Sequence, residues 1–158
     1  MEVTFDDIEK DFQDRVSRIV WCTVTTVDRK NRPRSRILHP VWEGATGWIC
    51  TGRQTHKAKH LARNPYVSVT YWDAEHEQVH AECHAEWVDD LAQKERVWEL
   101  FKSTPEPYGY DPVNFWEAPS DPNSGVLKLT PWRLELCGIK GVIAGGEWES
   151  RVWRQGDS

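Results

Sequence analysis

Arg34 and Arg36 lie two residues apart in a β-forming segment, and the stretch that follows ends in Arg53-Gln54-Thr55-His56-Lys57. These are residue types that bind a dianion such as a phosphate monoester. Alternate residues of a strand share a face, so the two arginines point the same way. A helix start exposes unpaired N–H groups and the positive end of its dipole. Cations beside such a start make a pocket for phosphate. The same spacing also describes a solvated helix start beside surface arginines. It has none of the glycine signature of a dinucleotide site or a P-loop.

The elements that must position these residues follow from local patterning. A strand is expected over residues 34–42, a turn at Glu43-Gly44-Ala45-Thr46-Gly47, and a second strand over residues 48–51. Gly52-Arg53-Gln54 breaks that strand. Thr55 suits the N-cap of a helix reaching about residue 63, and Asn64-Pro65 ends it.

Around this segment the chain reads as mainly β with flanking helices. Phe5, Ile8, Phe12 and Val16 recur at helical spacing, which predicts an amphipathic helix over residues 4–18. Strands are expected over residues 19–27, 66–73, 78–88 and 126–137, with Pro131 marking a bulge or an edge in the last. Asp89-Asp90 cap a helix over residues 91–103. Residues 104–125 form a long loop carrying Tyr108, Tyr110, Phe115 and Trp116, of a length that is often functional or interface-forming. The tail after residue 146 is polar and aromatic, with Trp148 and Trp153 expected against a partner.

Bulk properties narrow the function. The 158 residues carry a formal net charge of −5, with 25 acidic and 20 basic side chains. That is one domain by length, and it argues against general nucleic-acid binding, which needs a basic stripe. Cys22, Cys50, Cys83 and Cys137 form no C-x-x-C pair and read as reduced thiols. No secretory signal or membrane-length apolar run is seen, so a soluble cytoplasmic protein is expected. Ten tryptophans exceed what a small barrel can enclose, so several are expected at a subunit interface or a planar-ligand pocket.

Conventional catalytic constellations are missing. There is no Ser-His-Asp arrangement, no H-E-x-x-H and no paired carboxylates. His80, Glu82 and His84 share a strand face, but residues four apart on a strand are separated by about 13 Å, too far for one metal ion. No metal site is expected. The pattern suits a protein whose bound cofactor does the chemistry.

The run Pro33-Arg34-Ser35-Arg36-Ile37-Leu38, then Cys50-Thr51, then Thr55-His56-Lys57 and Asn64-Pro65, resembles the FMN-binding split-barrel superfamily, of which pyridoxamine 5′-phosphate oxidase is the best-known member. The resemblance is good over about residues 15–90. It implies an antiparallel, Greek-key-like split β-barrel. Arg36 matches the family arginine on the flavin phosphate, and Cys50-Thr51 match a Tyr-Thr pair beside the flavin. Thr55-His56-Lys57 match a Ser-Arg-Lys phosphate clamp. Gln78, within Glu77-Gln78-Val79, matches a glutamine near the ring. The implied cofactor-binding set is Arg34, Arg36, Ile37, Leu38, Cys50, Thr51, Arg53, Thr55, His56, Lys57 and Gln78. Arg34 or His39 would stabilise the reduced ring anion; no catalytic residue is singled out.

Departures limit the analogy. Val41 stands near the place of a second phosphate-side lysine, His56 replaces an arginine, and the Arg-x-His that holds pyridoxal phosphate has no counterpart. The resemblance therefore implies an FMN-dependent oxidoreductase acting on a small molecule other than vitamin B6, as a homodimer with the cofactor at the subunit interface. The alternative on the same fold is a reductase using a deazaflavin, coenzyme F-420, whose longer acidic tail would suit Lys59 and Arg63. A second alternative is a non-enzymatic flavin- or haem-binding protein.

Overall fold

Alternating burial along eight strands builds one antiparallel sheet in this computed structural model, which describes residues 1–156. The elements are α1 (Phe5–Ile19), β1 (Cys22–Val27), β2 (Pro33–Leu38), β3 (Val41–Glu43), β4 (Thr46–Gly52), α2 (His56–Arg63), β5 (Tyr66–Trp72) and β6 (Gln78–Trp87). They continue with α3 (Leu91–Ser103), a 3-10 turn (Pro112–Asn114), β7 (Ser124–Gly138), α4 (Lys140–Ile143) and β8 (Glu149–Arg154). The strand order is β2-β1-β5-β6-β7-β4-β3, with β8 also on β7. The sheet curls without closing, which is the split barrel.

The split lies where one long strand was expected over residues 34–42. His39-Pro40 interrupts it, because proline has no N–H for a ladder and restricts the residue before it. The chain therefore leaves β2, paired to β1, and enters β3, paired to β4, at the opposite edge of the sheet.

Two apolar clusters hold the sheet in shape. The barrel side buries α1 through Ile8, Phe12 and Val16, none of them exposed, against β3, β5, β6 and β8. A capping box between Thr4 and Asp7 starts that helix. The other side of β4 is covered by α3, where Val97, Trp98 and Phe101 meet Val41, Trp48, Cys50 and Val126. Strand β4 is thus buried on both faces and fixes the segment that leads into α2.

Strand β7 runs between β4 and β6 in its first half and between β6 and β8 in its second. The register with β6 shifts at Glu82/Cys83, opposite Pro131 and Arg133. Pro131 thus marks a bulge, as its missing donor suggests.

Strand β8 was not foreseen. The polar tail folds back on β7, and Trp153 packs on Phe5 of its own chain, with ring centroids 5.5 Å apart. Trp42, Trp48 and Trp98 are buried, whereas Trp21, Trp72, Trp132 and Trp148 are exposed. Among the described residues no helix is long and apolar enough to cross a membrane.

Candidate functional site

Arg36 pairs with Val24 across the β1–β2 ladder, which turns its side chain toward the face that Val24 buries. Its Nη1 donates to the Val24 carbonyl at 3.2 Å and to Thr26 Oγ1 at 2.8 Å. Thr26 Oγ1 lies 2.8 Å from His60 Nδ1 on α2. Arg36 only donates, so the Thr26 hydroxyl accepts from it and gives its own proton to His60. Arg34 shares this face but leans out to Asp28, 3.7 Å away.

Lys57 sits in the first turn of α2 and is nine-tenths buried. Its Nζ donates to Thr55 Oγ1 at 3.0 Å and more weakly to the Gly52 carbonyl at 3.5 Å. Thr55 occupies the N-cap position as expected, yet its hydroxyl does not cap the helix. It donates back to the Gly52 carbonyl at 3.1 Å, closing the tight Gly52–Thr55 turn. The first N–H groups of α2 therefore stay free of a side-chain cap.

Burial pushes the Lys57 ammonium below its ordinary range, and the Arg36 charge pushes the same way. Burial likewise lowers Arg36, with Arg34 adding to it. Among the described residues neither cation is in an ion pair, and the oxygens they touch are carbonyls and hydroxyls. Two like charges drawn out of water without a carboxylate form an arrangement that an anion would complete.

Beside this pair opens an apolar cavity of about 810 Å³. Ile37, Leu38, Cys50, Thr51 and Gly52 form its strand wall. Trp21, His39, Tyr110, Phe115 and Trp116 form the rest of its aromatic lining. The Tyr110 hydroxyl donates to the Cys50 carbonyl at 3.2 Å, tying the long loop to β4. The Cys50 side chain packs under α3, where burial pushes its thiol up to about 12, against a smaller opposing pull from Lys94. Cys50 is therefore a protonated thiol. A second, basic hollow of about 370 Å³ is lined by Arg29, Arg32, Arg34, Lys59 and Arg63, with His56, His60 and Asp28.

The structure thus places most of the sequence-derived set in or next to the linings of these two spaces. Arg36, Thr55 and Lys57 line neither space, but Arg36 reaches His60 of the basic hollow through Thr26 and Lys57 reaches Gly52 of the apolar cavity; Ile37, Leu38, Cys50 and Thr51 line that cavity, and Arg34 and His56 line the basic hollow. Two members stand apart. Arg53 is engaged with Asp89 at 3.3 Å and lies over the Trp87 ring at 4.5 Å. Gln78 begins β6, accepts from His80 Nε2 at 3.0 Å, and lines neither space within its own chain. The lining by Trp21 was missed, since nothing in a lone tryptophan before a strand marks it. The aromatic loop was visible from its length and composition.

Comparisons with known proteins bear on this arrangement. The family model described as pyridoxamine 5′-phosphate oxidase matches residues 8–137. No protein of curated function matches the sequence. A Clostridium acetobutylicum protein related to general stress protein 26 of B. subtilis (pyridoxinephosphate oxidase family) superposes with a TM-score of 0.73 at 14% identity, over 94% of this chain and 95% of that one. A pyridoxamine 5′-phosphate oxidase-related, FMN binding protein from Nostoc punctiforme PCC 73102 gives 0.66 at 17% identity, over 92% and 95%. An F420 reductase gives 0.57 at 15% identity, over 77% and 94%.

Proposed function

We propose, on the premise that this chain belongs to the pyridoxamine 5′-phosphate oxidase family, that it is an oxidoreductase whose phosphate-bearing flavin-type cofactor, FMN, docks at Arg36 and Lys57. The observation that carries this reading is that Arg36 and Lys57, partly desolvated and in no ion pair among the described residues, adjoin Ile37 and Gly52 of the cavity's strand wall. The residues present fit such a group. Arg36, Lys57 and the first N–H groups of α2 would hold the phosphate. Ile37, Leu38, Thr51 and the Cys50 backbone would flank the ring. When bound, the ring supplies reversible hydride acceptance. The chain's own residues bind it, orient it and exclude water from one side.

The other side is open. Trp21, Ile37 and Phe115 are 59%, 60% and 68% exposed around the cavity. A patch of this kind is suited to cover by a second copy of the chain. In such a homodimer Gln78, remote from its own cavity, would reach the ring from the second copy. The substrate is a small molecule that can share an apolar, aromatic space. The missing Arg-x-His pattern argues against a vitamin B6 phosphate.

One observation favours a second reading, a deazaflavin such as coenzyme F-420. Among the described residues, the basic hollow lined by Arg34 and His56 has Asp28 as its only carboxylate, and that carboxylate is already held by Arg32 at 2.9 Å. A longer acidic tail would suit it. The absorption spectrum of the purified protein, with the mass of whatever it releases on denaturation, separates the two. Yellow protein releasing FMN supports the first. Colourless protein that binds the deazaflavin on titration, and not FMN, moves the assignment to the second. Binding of neither removes both.

A further inference from the structure

His39, which follows the end of β2 and precedes Pro40, is buried, yet it lines the apolar cavity. Its Nε2 meets the Tyr108 carbonyl oxygen. A carbonyl only accepts, so Nε2 must carry a proton, and in the neutral ring Nδ1 then holds a lone pair. Nδ1 has no hydrogen-bond partner among the described residues, and it is not among the polar atoms sealed away from solvent. The ring is fixed on several sides. Trp21 lies 4.9 Å away and Tyr110 5.2 Å away between centroids, with Phe101 of α3 at 6.4 Å. A basic nitrogen of defined tautomer is thus held at the wall of a space with few other polar groups.

We propose that His39 is the general acid–base of this cavity, exchanging through Nδ1 the proton that accompanies hydride transfer. This rests on the flavin-type reading above. In the oxidative direction the substrate H–C–X–H, with X oxygen or nitrogen, loses its C–H electron pair as hydride to the oxidised cofactor. The X–H proton passes to Nδ1 as the C=X bond forms. In the reductive direction the imidazolium returns that proton to X while hydride returns to carbon. The Nε2–H contact to Tyr108 is compatible with both charge states, so the ring need not move.

The groups around His39 leave it few rivals. Tyr108 and Tyr110 from the loop are pushed up by burial, as is Cys50 of β4, so all three stay protonated near neutral pH. Among the described residues, Glu106 is the one carboxyl in the lining. Burial pushes His39 itself down, against a smaller opposing effect of the Tyr108 carbonyl. His39 is therefore neutral at pH 7 and loses its proton readily when charged.

The test compares the wild type, His39→Gln and Glu106→Gln, each loaded with FMN. Glutamine can keep the donation to the Tyr108 carbonyl but cannot carry the proton. The reduced proteins are mixed with benzaldehyde, a planar carbonyl compound that takes hydride on carbon and a proton on oxygen, from about pH 5 to about pH 9. The wild-type rate should fall as pH rises through a midpoint below about 6.5. His39→Gln should be about a hundredfold slower at the acid end and flat with pH. Glu106→Gln should keep the wild-type fall. An unchanged profile in His39→Gln overturns the proposal. Nitrogen-15 NMR of the histidine rings gives a readout independent of cofactor. A His39 resonance pattern with the proton on Nδ1 at pH 7.5 likewise overturns it. Failure to take up FMN or a deazaflavin would instead remove the flavin-type reading, and is seen before any rate is measured.

Discussion

The guanidinium of Arg36 donates to the hydroxyl of Thr26 at 2.8 Å, from the neighbouring strand of the same hairpin. The hydroxyl in turn reaches His60 on α2. The cation that leads the proposed phosphate site is therefore aimed by a relay across three elements. Thr26→Val removes the acceptor while keeping the shape. The expected result is a loss of about 0.5–1.5 kcal/mol in FMN binding, roughly three- to tenfold, with the fold intact by circular dichroism.

Removing the cations themselves should cost more. Arg36→Ala and Lys57→Ala are each expected to weaken FMN binding by about ten- to a hundredfold, the range of a charge-assisted hydrogen bond of about 1.5–3 kcal/mol. The sign on stability is opposite. Both charges are partly desolvated and repel each other, so neither variant should melt below the unliganded wild type. Calorimetric titration and a thermal melt read the two effects separately.

How much of this was legible beforehand depends on range. The helix over Phe5, Ile8, Phe12 and Val16, the clean alternation of β6 and the Thr55 helix start are all local patterns, and each stands in the fold. Arg36 and Lys57 are separated by a hairpin; residue types and spacing suggested one phosphate pocket for both, equally readable as a solvated helix start, and the family resemblance decided between the two. Strand β8 was unreadable because its pairing with β7 is long-range and its residues are polar. Arg53 was drawn into the site by proximity in sequence, whereas Asp89 and Trp87 hold it elsewhere.

Asp28 gives the fold an acid-sensitive joint. Burial alone would raise its carboxyl, but hydrogen bonds from the Arg32 and Lys30 N–H groups and the Arg32 guanidinium outweigh that and hold it at about 2. A depressed carboxyl contributes stability that is present above its unfolded value of about 4 and lost as pH falls through about 2. Urea unfolding at a series of pH values should show the wild type losing stability across that window. Asp28→Asn should be less stable near neutral pH and flatter below about pH 4.

The open cavity makes a prediction about assembly. Phe115 is 68% exposed beside Tyr110 and Trp116. Sedimentation should find the wild type dimeric and Phe115→Glu shifted toward monomer, because a carboxylate there would be buried without a partner. A monomeric wild type would leave the proposed second wall without a source.

The most direct test compares two ligands that differ only in the group the cation pair is proposed to hold. FMN and riboflavin are titrated into the full-length protein by flavin fluorescence. If the phosphate docks at Arg36 and Lys57, FMN binds about a hundredfold more tightly, and the gap closes in the double alanine variant. Equal affinity for the two ligands in the wild type would contradict the account.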